Sequence, residues 1–149
     1  MNSRTQTINQ LRDFFRTQKV TALATQEPGH PYLSLMAFAM TDDLNYLIIA
    51  TQKETRKYFN MIKNSGVAFL IDNRSNDRDQ FLKTLAVTGI GQARAIEENE
   101  KESLTTFFLD KHPELETFVH SQDCTLVKIQ INKLIIVRQF QEIEELDRP

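Results

Sequence analysis

A cluster of hydroxyl and basic side chains lies where a predicted strand is followed by a predicted helix. Thr51 and Glu54 have the spacing of a reciprocal capping box, which predicts that the helix begins after Thr51 with unpaired amide groups in its first turn. Thr55 adds another hydroxyl. Three cations have spacings typical of one side of a helix, namely Lys53, Arg56 and Lys57. These donors predict a phosphate monoester site. A capped surface helix with solvated basic residues is the alternative.

A strand predicted over residues 32–40 carries apolar side chains on both faces. Met36 and Phe38 fall on one face, and Leu33 and Leu35 fall on the other. We therefore expect this strand to be covered on both sides. A strand that only forms part of the core would show the same stripe, so the pattern alone leaves a ligand-binding role open.

Hydrophobic periodicity predicts the elements that position these two segments. An amphipathic helix opens the chain, and strands are predicted at 20–25, 32–40, 44–50, 67–71, 82–96, 125–131 and 134–140. Asn132 and Lys133 are predicted to form a turn between the last two strands, with a frayed end from residue 141, and Gly89 and Gly91 predict a bulge or a close backbone approach. The order predicts a single domain, 1–149, mostly β with peripheral helices. It does not fit a βαβ nucleotide fold.

Composition limits the classes of function. The 18 basic and 20 acidic residues give a formal net charge of -2, which provides no general attraction for nucleic acid or an anionic membrane. Cys124 is the single cysteine, and no Cys/His spacing resembles a metal site, so we expect a reducing, cytoplasmic location and no bound metal. We expect His30, His112 and His120 at the surface and Cys124 to be buried and inert, and we identify no catalytic acid or base.

The run Ile48-Ile49-Ala50-Thr51, followed by Thr55-Arg56-Lys57, resembles the pyridoxamine 5′-phosphate oxidase-like family of FMN-binding split β-barrels. The hairpin with Gly29-His30-Pro31, the segment Ser34-Leu35-Met36-Ala37-Phe38 and the strand at 87–93 are also similar to that family. The resemblance covers about residues 10–140 and implies a split β-barrel of about seven largely antiparallel strands.

The resemblance also implies FMN as the cofactor, bound between the two subunits of a homodimer. One set of residues would hold the phosphate and ribityl groups, namely Thr51, Thr55, Arg56 and Lys57. A second set would lie along the isoalloxazine ring, namely Ser34, Leu35, Met36, Ala37 and Phe38. Apolar faces combined with main-chain donors and acceptors suit such a ring.

An FMN-dependent oxidoreductase acting on a small molecule or a redox partner is therefore the leading hypothesis. The oxidase that names the family grips pyridoxal with C-terminal Trp and Arg residues, and this chain has no Trp, so we do not expect vitamin B6 oxidation. Ala86 also stands where that enzyme has a glutamine that contacts the flavin. A non-enzymatic flavin carrier or sensor and a split barrel that binds haem or a deazaflavin are the alternatives.

Overall fold

The computed structural model describes residues 2–149. Five α-helices occur in this range: α1 Ser3–Thr17, α2 Arg56–Lys63, α3 Arg78–Phe81, α4 Lys101–Lys111 and α5 Glu116–Val119. Seven strands accompany them: β1 Val20–Glu27, β2 His30–Met40, β3 Tyr46–Gln52, β4 Gly66–Asp72, β5 Leu85–Ala95, β6 Cys124–Arg138 and β7 Glu142–Asp147. Short 3₁₀ turns, Glu98–Glu100 and Pro113–Leu115, precede α4 and α5.

The strands form one antiparallel sheet that closes on itself. Their order is β3-β2-β1-β4-β5-β6-β7, and β3 also pairs with β6, so six strands form a barrel and β7 extends it along β6. This architecture confirms the predicted split β-barrel with peripheral helices. Because closure removes the free edges of β3, the end of β3 that leads into α2 is held against the start of β6.

Alternation along the strands divides the apolar side chains between two clusters. Leu23, Phe38 and Phe69 belong to the larger cluster, which fills the barrel and includes the apolar side of α1. Ile48 and Phe108 belong to a smaller cluster formed where α4 and α5 cover the outside of β2, β3 and β6. Both faces of β3 are therefore buried. The prediction that β2 is covered on both sides is wrong for its first half, because Leu33 and Leu35 are exposed, and it holds only toward Met40.

The two glycines of β5 lie at close approaches, as expected. A Cβ atom on Gly89 would collide with the ring of Phe69, and one on Gly91 would collide with the main chain of Gln130. The β5–β6 register also shifts between Ile90 and Gly91, which confirms the predicted bulge.

The predicted turn at Asn132 and Lys133 is wrong, because β6 runs without interruption through both residues. Asn132 has no β5 partner, since Ile90 pairs with Lys133 and Gly91 pairs with Ile131. The bulge thus accommodates a polar pair that looks like a turn in sequence. The predicted frayed end is also wrong, because β7 pairs with β6 in antiparallel register from Glu142 to Asp147.

His112, expected at the surface, is only 1% exposed. Pro113 ends α4 and turns the chain, which leaves the imidazole packed at 5.0 Å from the ring of Phe108. Its Nε2 lies 2.7 Å from the main-chain oxygen of Phe38, and because a carbonyl oxygen only accepts, Nε2 donates this hydrogen bond. The last turn of α4 is thereby attached to β2.

Candidate functional site

Helix α2 begins at Arg56, and Thr55 is its N-cap. The Oγ1 of Thr55 accepts a hydrogen bond from the amide of Tyr58 at 3.4 Å and donates one to the carbonyl of Gln52 at 2.9 Å. The predicted capping box of Thr51 and Glu54 is therefore wrong. Thr51 remains in β3, because its pairing with β6 extends the strand to Gln52, and a turn is needed before the helix starts.

Thr51 is buried beneath this turn and contacts the N-cap residue Thr55. Its side chain is 1% exposed, and its Oγ1 lies 3.2 Å from the Oγ1 of Thr55. The two predicted hydroxyl ligands are thus adjacent, and Thr55 is the more accessible of them. The first-turn amides of α2 lack intrahelical acceptors, as at any helix start, so the electrostatic preference for an anion is centred at Arg56 and Lys57.

Arg56 connects α2 to the first hairpin. Its Nε lies 3.1 Å from Oε1 of Glu27 at the end of β1, and its guanidinium carbon lies 5.3 Å from the ring centre of Tyr32 on β2. A further link is the hydrogen bond from Asn60 Nδ2 to Thr25 Oγ1, at 3.0 Å. Thr25 is the β1 partner of Tyr32. The predicted phosphate cluster therefore lies against the start of the predicted ring-binding strand.

A cavity of about 800 Å³ opens beside Arg56. Its walls come from the β1–β2 turn and from the exposed side of α2: Gln26, Glu27, Pro28, Gly29, Arg56, Phe59, Asn60, Lys63 and Asn64. Gly29 has φ +79°, a left-handed conformation that glycine adopts without strain, and it turns the hairpin back along this wall. With Arg56 and Lys63 on one wall and Glu27 on another, the cavity offers an anion two cations and one competing carboxylate.

The three predicted cations do not share one side. Lys53 lies in the turn before α2, where its amide donates to the carbonyl of Asp123, and it lines a different cavity. Lys57 is half-buried and does not line the cavity beside Arg56. The prediction of a common side is wrong because it treats residues 53–57 as one helix, whereas the helix begins only at Arg56.

The segment predicted to contact the ring has two different faces. Met36 and Phe38 are 6% and 0% exposed and belong to the barrel core, so their side chains are not available to a ligand, and both the amide and the carbonyl of Phe38 already form hydrogen bonds within the protein. Leu35 points outward and is 73% exposed, and Ala37 is half-buried. The prediction that Ser34 to Phe38 lie along a flavin ring stays a prediction, with the contacts limited to these groups.

Ser34 carries an unusual polar atom. Its Oγ is buried and has no hydrogen-bond partner among the described residues. An unpaired buried hydroxyl costs about 1–3 kcal/mol, so a native protein rarely retains one without a reason. Ser34 shares its strand face with Tyr32, over which Arg56 lies. Strand alternation also puts Ser34 on the barrel side of β2, and Ser34 does not line the cavity beside Arg56. This hydroxyl and the cationic start of α2 are the two polar groups of the site that suit a flavin nucleotide.

Sequence reasoning missed Glu27, Tyr32 and Lys63 as parts of the site. Lys63 could have been found, because it lies seven residues after Arg56 and therefore on the same side of α2. Tyr32 could have been found from its position two residues before Ser34 on one strand face. Glu27 carries no local signal, since only the folded hairpin brings it to α2.

A second cavity, of about 870 Å³, lies between the start of β6 and helices α4 and α5. Lys53, His120 and Cys124 contribute to its wall. Cys124 is half-buried, and burial raises the pKa of its thiol, which favours the unreactive protonated form.

Across residues 2–149, no group of three His, Cys, Asp or Glu side chains is placed to hold a metal ion. None of the helices in that range is both long and apolar enough to cross a membrane.

Solved structures of related shape share the fold at low sequence identity. The haem-binding protein from Mycobacterium smegmatis superposes with a TM-score of 0.81 and 16% identity over 94% of this chain, which spans 57% of that protein. General Stress Protein 26 from Bacillus anthracis superposes with a TM-score of 0.73 and 17% identity, over 96% of this chain and 99% of that protein. A FAD-binding protein from Mesorhizobium loti superposes with a TM-score of 0.68 and 16% identity, over 85% of this chain and 88% of that protein.

Sequence comparison identifies the family. No curated protein sequence matches this chain. The family model described as pyridoxamine 5′-phosphate oxidase, however, matches residues 8–138, which include every strand of the closed barrel and both segments of the candidate site. The chain therefore belongs to the pyridoxamine 5′-phosphate oxidase family.

Proposed function

We propose that this protein binds FMN along a path from α2 to β2 and acts as an FMN-dependent oxidoreductase on a small molecule. The observation that carries the proposal is the position of Arg56 over Tyr32, because it joins the anion-binding start of α2 to the strand that holds the unpaired Ser34 hydroxyl. Family membership and the FAD-binding protein among the structural neighbours support it.

The start of α2 would hold the phosphate. Arg56 supplies a planar donor group, the Thr55 hydroxyl and the first-turn amides lie beside it, and Lys57 and Lys63 add positive charge. Glu27 would have to release Arg56 on binding, because one guanidinium cannot keep its pair with the carboxylate while gripping a phosphate in the same direction. Glu27 thus lowers the affinity of the site for phosphate, because it competes with the phosphate for Arg56.

The ring would lie along β2. The Ser34 hydroxyl would bind a polar atom of the ring edge, and the main chain between Leu35 and Ala37 offers further donors and acceptors beside apolar surface. When bound, FMN supplies hydride and electron transfer that no protein side chain provides. This chain's residues bind and orient the cofactor and keep water from its apolar side.

We further propose that the protein is a homodimer, because one outer face of the sheet is apolar and uncovered. Leu33 and Leu35 are 69% and 73% exposed. Their row continues across directly paired positions of β1, β4, β5 and β6, namely Ala22, Leu70, Thr88 and Ile135. Burying one such leucine contributes about 1.5–3 kcal/mol, so covering this face with a second copy would stabilise a dimer.

Sedimentation tests the dimer. We expect Leu35→Glu to shift the protein from dimer to monomer, because it places a charge at the β2 end of the row, where the most exposed leucine lies. Ile62→Glu, at a residue 61% exposed on α2, is the matched control and should leave the dimer intact. A monomeric wild-type protein, or a dimeric L35E variant, would contradict the proposed face.

The flavin proposal is tested by titrating the purified chain with FMN at micromolar concentration and recording the visible spectrum. We expect saturable binding, with perturbed flavin absorbance, and reduction of the bound flavin by NAD(P)H or another donor. A chain that takes up no FMN refutes the proposal. Binding without turnover over a panel of donors and acceptors would instead identify a flavin carrier or sensor.

Haem binding is the second candidate function. The mycobacterial neighbour is a haem-binding protein, and in this chain His120 lines a cavity of about 870 Å³ that could receive a large planar ligand. Haem titration separates the two candidates, since His ligation would give a strong Soret band that His120→Ala removes. An unchanged haem spectrum in that variant would exclude His120 as the ligand.

A further inference from the structure

One side of α2 faces the cavity beside Arg56 along the whole length of the helix. Arg56, Phe59, Asn60 and Lys63 recur at helical spacing, and all four line this cavity of about 800 Å³. Seven residues of helix span about 10 Å, so the cavity continues for two turns beyond the proposed phosphate position. A phosphate monoester at the start of α2 therefore fills only one end of the cavity.

Asn60 has an open hydrogen-bond acceptor in this cavity. Its side chain is only 6% exposed, and its Nδ2 donates to the Oγ1 of Thr25 at 3.0 Å. This bond fixes the amide group, whereas the Oδ1 accepts no hydrogen bond from the described residues. Because Asn60 lines the cavity, the Oδ1 is available to a ligand there. Most buried side-chain polar atoms have a partner, so this acceptor indicates a ligand group that donates a hydrogen bond.

Phe59 presents an aromatic ring to the same cavity. The side chain is 54% exposed, although a phenylalanine is more often buried. Pro28, on the β1–β2 turn, provides apolar surface on the other wall. A flat aromatic face beside a buried hydrogen-bond acceptor suits a planar base, because every nucleobase can stack on such a ring.

Glu27 offers a second acceptor once it has released Arg56. Its carboxylate lines the same cavity and is 28% exposed. An ionised carboxylate only accepts hydrogen bonds, so it opposes a phosphate but can accept from the two hydroxyl groups of a ribose. A ligand that places a ribose beyond the first phosphate would therefore satisfy the group that a monophosphate leaves without a partner.

We propose that the bound flavin is a dinucleotide whose adenylate half lies in this cavity, a proposal that rests on the flavin-binding function proposed above. FAD contains the whole of FMN, so the start of α2 would hold the first phosphate in either case. Beyond it, Glu27 would accept from the ribose, Phe59 would stack on the adenine, and Asn60 Oδ1 would accept from the adenine amino group. A separate nucleotide would lose its own translational freedom on binding, whereas a group attached to the phosphate is already held at the cavity.

Calorimetric titration of the full-length wild-type chain with FMN and with FAD tests the proposal. We expect FAD to bind about tenfold more tightly than FMN, because only its adenylate half can stack in the cavity. If FMN binds and FAD binds equally well or more weakly, the dinucleotide proposal is overturned while the proposed function stands. If neither flavin binds, the proposed function itself fails and this proposal fails with it.

Phe59→Ala locates the adenylate half. We expect it to weaken FAD about tenfold and to leave FMN affinity unchanged, since FMN ends at the phosphate. Retained FMN affinity also shows that the variant is folded. Ile62→Ala is the matched control, because Ile62 is 61% exposed on α2 but does not line this cavity, and it should bind both flavins like the wild type. Unchanged FAD affinity in F59A, or an equal loss of both flavins, would refute the assignment.

Discussion

Replacing Arg56 with Gln separates the phosphate part of the proposed flavin site from the rest. The variant keeps a polar side chain of similar length at the start of α2 but removes the charge that lies 3.1 Å from Glu27 and over Tyr32. FMN and riboflavin share the ring and differ in the phosphate. We therefore expect the substitution to weaken FMN and to leave riboflavin affinity unchanged.

The magnitude follows from two opposing contributions. A charge-assisted hydrogen bond to phosphate contributes about 2 kcal/mol. The Arg56–Glu27 pair, with side chains 63% and 28% exposed, contributes about 0.5 kcal/mol that the wild type loses on binding. The net loss in the variant is about 1.5 kcal/mol, or roughly tenfold in the FMN dissociation constant. By the same reasoning, Glu27→Gln should strengthen FMN binding about twofold.

Flavin fluorescence titration measures the dissociation constants of FMN and riboflavin for the wild type and for R56Q. Lys53→Gln is the matched control, because Lys53 is an exposed cation that lines a different cavity. We expect this control to bind both ligands like the wild type. An equal loss of riboflavin and FMN affinity in R56Q would mean that Arg56 holds the ring or the fold rather than the phosphate. Unchanged FMN affinity would remove Arg56 from the site.

Three further outcomes are expected. Ser34→Ala should raise the melting temperature of the ligand-free protein, because it removes a buried hydroxyl that has no partner among the described residues, yet weaken FMN and riboflavin equally, by about threefold to tenfold in fluorescence titration. A lower Tm with unchanged affinities would refute this. Gly89→Ala should destabilise the fold by about 1–3 kcal/mol in denaturant titration, since its Cβ meets the Phe69 ring, and a wild-type midpoint would contradict that. The hydrogen bond from Arg94 lowers the pKa of Glu100 from 4.5 to about 2, so the stabilisation that the Glu100 carboxylate gives the fold is full above pH 4.5 and is lost as the pH falls toward 2. Between pH 4.5 and 2 the Tm of Glu100→Gln should therefore vary less than that of the wild type. If the two proteins show the same dependence of Tm on pH, Glu100 is excluded as the group responsible.

The order of elements could be read from the sequence because helix and strand periodicities are local. Residues three or four apart meet on a helix, and alternate residues share a strand face, so α1, the first hairpin and β4 follow from spacing alone. The glycines of β5 likewise indicate a bulge without knowledge of the partner. The continuity of β6 could not be predicted, because Asn132 and Lys133 form a turn signal that is overridden only by the bulge opposite them on β5.

For the candidate site, the sequence determined which groups are available: a hydroxyl, cations and a helix start after a strand, followed by a family resemblance that implies flavin. Only the tertiary structure decided that Thr55 rather than Thr51 caps the helix, that Glu27 competes for Arg56 and that Arg56 lies over Tyr32. These are contacts between segments distant in sequence. They depend on strand register and barrel closure, which local spacing does not encode.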